Sequence, residues 1–176
     1  MLARALARDT AQTAITAALT GLGATVETDK DTPAQSGKMP IVAIYAMDKK
    51  HQTGAGTIEF ETRITVTIEV RCEGDTKAAA QGQCDSICEA IEGALLNGAS
   101  AFFKLFEQIE DVDTYPEYEG SQNKKHIFSG TIEIVGRVLE SFEPARGNAL
   151  EKVFVTVAPG GDGTPTYDIE IDVPQE

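Results

Sequence analysis

The sequence predicts an α+β fold: an antiparallel β-sheet packed against two main helices, with a C-terminal β-hairpin extension. Three observations lead there. Residues 57–71 (TIEFETRITVTIEVR) place Ile58, Phe60, Ile64, Val66, Ile68 and Val70 at even positions, with charged and Thr residues between them. That period of two belongs to a strand with one dry and one wet face. Two other stretches, 2–22 and 77–97, repeat their apolar residues near a period of 3.6, as amphipathic helices do. The strand-like runs also come in pairs separated by helices, which favours an antiparallel sheet with its helices on one face.

In chain order, residues 2–22 form the first helix, with Leu2, Leu6, Ala14, Ile15, Ala18, Leu19 and Leu22 as its apolar marks. Gly21 and Gly23 stop it. Although amphipathic and carrying Arg4 and Arg8, it lacks the continuous apolar centre of a signal peptide and reads as an ordinary helix. Residues 24–27 suit a short edge strand, and 29–38, with Pro33 and Gly37, a loop. The apolar run 41–47 reads as a strand buried on both faces. The polar, Gly-rich 48–56 (DKKHQTGAG) is expected to be a mobile connection into the long strand. At about 3.3 Å per residue that strand spans roughly 45–50 Å, far beyond the usual five or six residues.

After a turn at 73–75, the helix 77–97 carries Ala80, Cys84, Ile87, Cys88, Ile91 and Leu95 on one stripe, and Gly98 is expected in the left-handed position past its end. Residues 101–106 (AFFKLF) are read as a further helical turn packing Phe102, Phe103 and Phe106 inward. Residues 107–114 form a strand and 115–123, with Pro116 and Gly120, a turn region. The second long strand, 124–140, has His126, Phe128, Ile132, Ile134 and Val138 on one face, with Gly130 and Gly136 between. Interior glycines there point to a bulge or a close backbone approach. Ile127, Val135 and Leu139 mark its other face as partly covered. After a linker, 152–157 and 167–173 alternate about a Gly/Pro loop and form a hairpin. The expected division is a domain over 1–142 and an arm over 143–176.

With Lys+Arg 15 against Asp+Glu 28, the net charge of −13 excludes nucleic-acid binding through the bulk field. No apolar run reaches the roughly 18–20 residues of a membrane helix. Three cysteines (Cys72, Cys84, Cys88) are too few and too odd for a disulfide framework and point to a reducing compartment.

No motif carries catalysis. His51, in a basic patch with Lys49 and Lys50, lacks a nucleophile motif, as does His126 beside Lys124 and Lys125. These patches read as solvated tips or as contacts for an acidic neighbour. Cys84 and Cys88 share a helix face, but as half a metal site they lack partners, and burial as small apolar side chains is the stronger reading. The acids Glu107, Glu110, Asp111, Asp113, Glu117 and Glu119 do not follow a Ca²⁺-loop pattern and read as a solvated face.

The order of elements resembles the tail terminator family of long-tailed bacteriophages, the lambda-type minor tail protein U among them. The likeness rests on four features over residues 1–142: the N-terminal helix leading to P-I-V-A-I-Y (40–45); the Gly-rich loop before the long alternating strand; the helix with I-x-x-x-I-E-x-A-L (87–95); and F-S-G-T-I-E-I-V-G (128–136). The hairpin has no counterpart in its shorter members. The resemblance implies a structural virion protein without catalysis or cofactor. It implies a homohexameric ring that caps the tail tube, ends its polymerisation and provides the surface for the head connector, with DNA passing the lumen unbound. Its partners would be the tail tube protein and the head–tail connector proteins. An acidic ring repels DNA in its lumen. Ring contacts are heterologous and need two different patches on each subunit. The interface candidates are Lys49, Lys50, His51, Lys124 and Lys125 against Asp111 and Asp113, with Glu59, Glu61 and Arg63 on the long strand's wet face. The end of that strand near residue 57 is expected to project where a neighbour pairs or packs. The alternative is a small-ligand or metal-binding α+β domain, resting on the acidic run and Cys84/Cys88.

Overall fold

A computed structural model of the chain describes residues 3–28, 39–52, 59–141, 152–157 and 167–172. The chain divides into two compact units, Met1–Ser141 and Phe142–Glu176. The first is α+β. Its elements are α1 (Ala3–Ala18), β1 (Thr25–Glu27), β2 (Ile41–Gln52), β3 (Glu59–Gly74), α2 (Lys77–Leu95), a short 3-10 turn (Phe103–Leu105), β4 (Gln108–Gln122) and β5 (Lys125–Ser141). The five strands form one sheet in the order β1-β2-β3-β5-β4. The sheet is mixed and not wholly antiparallel, because β1 pairs parallel with β2. In the second unit, β6 (Lys152–Val157) and β7 (Tyr167–Asp172) pair antiparallel. The loop expected over 29–38, the first residues of the 57–71 run, and the linker lie outside the described residues.

The centre of the sheet is β3, in continuous register with β2 from Phe60 to Arg71 and with β5 from Glu59 to Gly74. Its even positions Ile64, Val66, Ile68, Val70 and Cys72 are fully buried. They pack with Val42 and Ile44 of β2, Ile132 and Ile134 of β5, and both helices in one core. On α1 the buried seam is Ala3, Ala7, Ala11, Ile15 and Leu19, every fourth residue. Leu6 and Leu22, expected inward, are 40% and 44% exposed. Alanine on the seam lets the helix lie close to the sheet, and that closeness leaves the larger leucines outside.

Residues 48–52 are not a connection but the continuation of β2, paired with Phe60 to Ile64. The run 41–47 is buried on both faces only at its start: Val42 and Ile44 lie under the helices and Ile41 is buried on the opposite face, but further along that face Met47 is 62% exposed. Phe60 of β3 is paired on both sides, with Gln52 and Glu140, and Glu59 with Ser141 alone; the strand end near residue 57, expected to meet a neighbour, lies outside the described residues.

Thr76 caps α2, its hydroxyl accepting from the Ala79 amide at 3.1 Å. At the other end Gly98 is not left-handed. Instead the Ser100 hydroxyl donates to the Leu95 carbonyl at 2.8 Å, and Asn97 Oδ1 accepts from the Ala99 amide. Side chains thus do what a left-handed glycine does elsewhere. Phe102 and Phe106 are buried edge-to-face with centroids 5.1 Å apart, but Phe103 is 38% exposed.

The largest departure from expectation is β4, which runs straight through Pro116 and Gly120. Pro116 is tolerated because β4 is the sheet's outer strand, where a missing N–H costs no ladder bond. Two bulges, after Ile109 and after Tyr118, absorb one residue each, the second with Gly120 at φ +119°. The reversal comes later: Asn123 (φ 51°) and Lys124 (φ 68°) form a two-residue hairpin turn between Gln122 and Lys125. Two successive positive φ values match the hand of twisted strands.

The glycines of β5 mark close approach. A Cβ on Gly130 would lie 2.7 Å from Cys88 Sγ, and one on Gly136 would lie 2.3 Å from the Phe106 ring. The glycines are thus the sockets for the α2 thiols and for the segment after α2.

Candidate functional site

Both helices pack on one face of the sheet, and the other face carries the charged candidates. The register sorts that open face into rows across β2, β3, β5 and β4. One row is Lys49, Arg63, Arg137 and Gln108; the next is Met47, Thr65, Val135 and Asp111; the third is Tyr45, Thr67, Glu133 and Asp113. Cations lie side by side in the first row. In the third, Asp113 and Glu133 stand directly opposite one another. Like charges in such positions repel.

Part of the cationic row is answered within the chain. Arg63 Nε donates to Glu110 at 2.9 Å, and Arg137 reaches Glu61 at 3.2 Å and the Gln108 side chain at 2.5 Å. Further along, Arg71 Nε lies 2.8 Å from Glu119. Glu110 and Glu119 are the two extra residues of the β4 bulges. Each bulge therefore aims a carboxylate across β5 at an arginine of β3. These pairs are largely solvated, worth roughly 0–1 kcal/mol each. One Arg137 donor, Nε, is buried without a hydrogen bond, with Glu110 3.9 Å away.

The remaining candidates separate. Lys49 is exposed at one end of the open face, and Lys124 occupies the β4–β5 turn. Counting along β3 from Arg63 to Gly74, these tips lie about 35 Å apart. Neither makes an ion pair among the described residues. Lys125 pairs with Asp75, and its hydrogen bond holds the Asp75 carboxyl below its ordinary value. Asp111 and Asp113 are exposed on β4, and Asp113 pushes the hydroxyl of the neighbouring Tyr115 above its ordinary value. His51 pairs in register with Glu61, and Glu59 with Ser141. The side chains of His51 and Glu59 lie outside the described residues.

Lys50 faces the helix side, where it belongs to a cluster that sequence reading did not find. Its ammonium donates to Glu140, whose carboxylate also accepts from the Thr62 hydroxyl and, at 3.0 Å, from the Ala3 amide. Asp48 joins through Lys50 at 3.6 Å and Arg4 at 3.3 Å. Glu140 thus caps the first turn of α1 from 137 residues away. Burial raises its carboxyl, but the hydrogen bonds from Lys50, Thr62 and Ala3 outweigh that and hold it below the ordinary 4.5.

Cys72, Cys84 and Cys88 are core side chains. Hydrogen bonding to Cys72, with burial, pushes the Cys84 thiol up to about 12; contact with Cys84 and burial push Cys88 up too. For Cys84 and Cys88 these shifts disfavour the thiolate, the form that binds metal. Among the described residues, no three His, Cys, Asp or Glu side chains are grouped to hold a metal ion. His126 Nδ1 lies 2.8 Å from the Tyr118 hydroxyl, over which Lys77 sits 4.6 Å from the ring. No described helix is long and apolar enough to cross a membrane.

Arg137 and Glu133 were legible in principle, since they alternate with the core residues of β5. Glu110 and Glu119 were not, because the bulges that aim them lie where proline and glycine read as strand breakers. No protein-family model and no curated protein matches this chain.

Proposed function

We propose that the protein is a tail terminator of a long-tailed bacteriophage. It forms a homohexameric ring that caps the tail tube, ends its polymerisation and presents the joining surface for the head connector. The role is structural and uses no cofactor. The observation that carries this reading is the long sheet with two chemically different ends. A terminator must meet two unlike partners at once. Here β3 and β5 run together over sixteen register pairs, from Glu59–Ser141 at one end to Gly74–His126 at the other. The first end carries the Glu140–Lys50 cluster beside the cationic row. The other carries the Lys124 turn and the Lys125–Asp75 pair.

The order of elements supports the family likeness, with two helices on one face of a sheet whose central strands are the two long ones. Ring contacts are heterologous. Lys124 at the turn and the exposed acids Asp111 and Asp113 on β4 remain available for them. The tail tube protein, polymerised with and without this protein, gives the test. Tubes shortened in proportion to the added protein, each ending in a ring, are expected. Tube lengths unchanged at a molar excess, with the protein monomeric throughout, would exclude the reading.

A further inference from the structure

We infer that Asn97–Gly98, just past the end of α2, is a site of self-modification, where the Asn97 side chain condenses with the Gly98 amide and the chain deamidates. The inference is independent of the ring reading, because it needs only the folded subunit and water.

Nothing in the fold requires a glycine at position 98. Its φ is not left-handed, and a Cβ built there meets nothing within 4 Å. What the missing side chain leaves is access: with no Cβ beside it, the Gly98 nitrogen is open to a close approach by the side chain before it. Asn97, Gly98 and Ala99 are all exposed. Among the described residues the Gly98 amide donates to no acceptor, so no hydrogen bond has to break before it reacts. Asn123 and Asn148, the chain's other asparagines, precede Lys124 and Ala149, whose side chains obstruct the same approach.

The turn also prepares the other reactant. The Ala99 amide donates to Asn97 Oδ1 at 2.9 Å and folds the carboxamide back along the following peptide. That donor draws electron density from Cγ and lies where an oxyanion forms when Cγ is attacked. The Ser100 amide, bonded to the Asn97 carbonyl at 2.8 Å, closes the turn. In the reaction the Gly98 nitrogen bonds to Asn97 Cγ and gives its proton to hydroxide. The Cγ–Nδ2 bond then breaks, and ammonia leaves with a proton from water. Water opens the resulting succinimide at either carbonyl, giving aspartate or isoaspartate at position 97. Either product places a new carboxylate at the carbonyl end of α2, where the helix dipole disfavours an anion. Isoaspartate also adds a methylene to the main chain between α2 and Phe102, whose ring is fully buried.

Incubation of the full chain in heavy-oxygen water at neutral pH, followed by peptide mass spectrometry, provides the test. Heavy oxygen is expected to enter the carboxyl at position 97 in both aspartate and isoaspartate peptides, while Asn123 keeps its amide. The converted protein is expected to separate as a more acidic species on ion exchange and to melt at a lower temperature. Gly98→Ala, which fills open space, is expected to melt no lower than fresh wild type and to cut conversion at position 97 to the level of Asn123. A wild type that keeps the Asn97 amide overturns the inference, as does conversion equally fast in Gly98→Ala. Conversion faster in the urea-unfolded chain than in the folded protein overturns the part assigned to the Ala99 amide. None of these results bears on tube capping, which the polymerisation assay reads on its own.

Discussion

The two faces of one sheet follow the same alternation in sequence and carry opposite designs. On the helix side, Ile64, Val66, Ile68 and Val70 are fully buried, and Gly130 and Gly136 exist to admit Cys88 and Phe106. On the open side, neighbouring positions carry rows of like charge around an exposed methionine. Packing density governs the first face, where one methylene too many or too few is felt throughout the core. Solvent screens the second, where single contacts contribute little to folding. The lesson is that this domain keeps its packing on one face and its solvated charge on the other. Substitutions on the two faces should therefore separate cleanly by what they change.

The largest effect is expected at Ile68→Ala. Removing a fully buried side chain from the central strand costs about 3–4 kcal/mol, read as a fall in the urea midpoint. Gly136→Ala follows at about 2–3 kcal/mol, because the new methyl meets the buried Phe106 ring at 2.3 Å. Gly136→Ala combined with Phe106→Leu should recover part of that loss. If Gly136→Ala proves neutral, the close packing of the covered face is mistaken.

Glu140→Gln stands between the two faces. It weakens the cap on α1 and the contact with Lys50, for an expected loss of about 1–2 kcal/mol at neutral pH. The sign of its pH dependence follows from a carboxyl held below 4.5 in the folded state. Its contribution is full above that value and is lost as the pH falls through the lower folded one. Denaturation at a series of pH values should show the gap between wild type and variant closing in acid. A gap that widens in acid contradicts the cluster. The smallest effect belongs to the open face: Arg71→Ala, which removes the Glu119 pair, should change stability by less than about 1 kcal/mol.

Much of this arrangement was legible from local pattern. The period-two run fixed the dry face of β3, and the stripe through Cys84 and Leu95 fixed the face of α2. What escaped was set by neighbours in space. Pro116 and Gly120 read as a turn, and only the position of β4 at the sheet's edge makes them acceptable in a strand. Residues 48–52 look like a loop until β3 is laid beside them. Lys50 reads as a surface cation like Lys49. One pleat turns it inward to the Glu140 carboxylate, 90 residues further along the chain. The open face was visible as charged alternation, but the rows exist only once the register of four strands is known.

The central claim is that this sheet, with its two unlike ends, serves as the cap of a tail tube. Electron microscopy of tubes assembled in the presence of the protein tests it most directly. The account predicts a six-fold ring at one end of every tube, with the long axis of β3 and β5 spanning from the tube to the opposite, connector-facing surface. Bare tube ends, with the protein left free in solution, would contradict it.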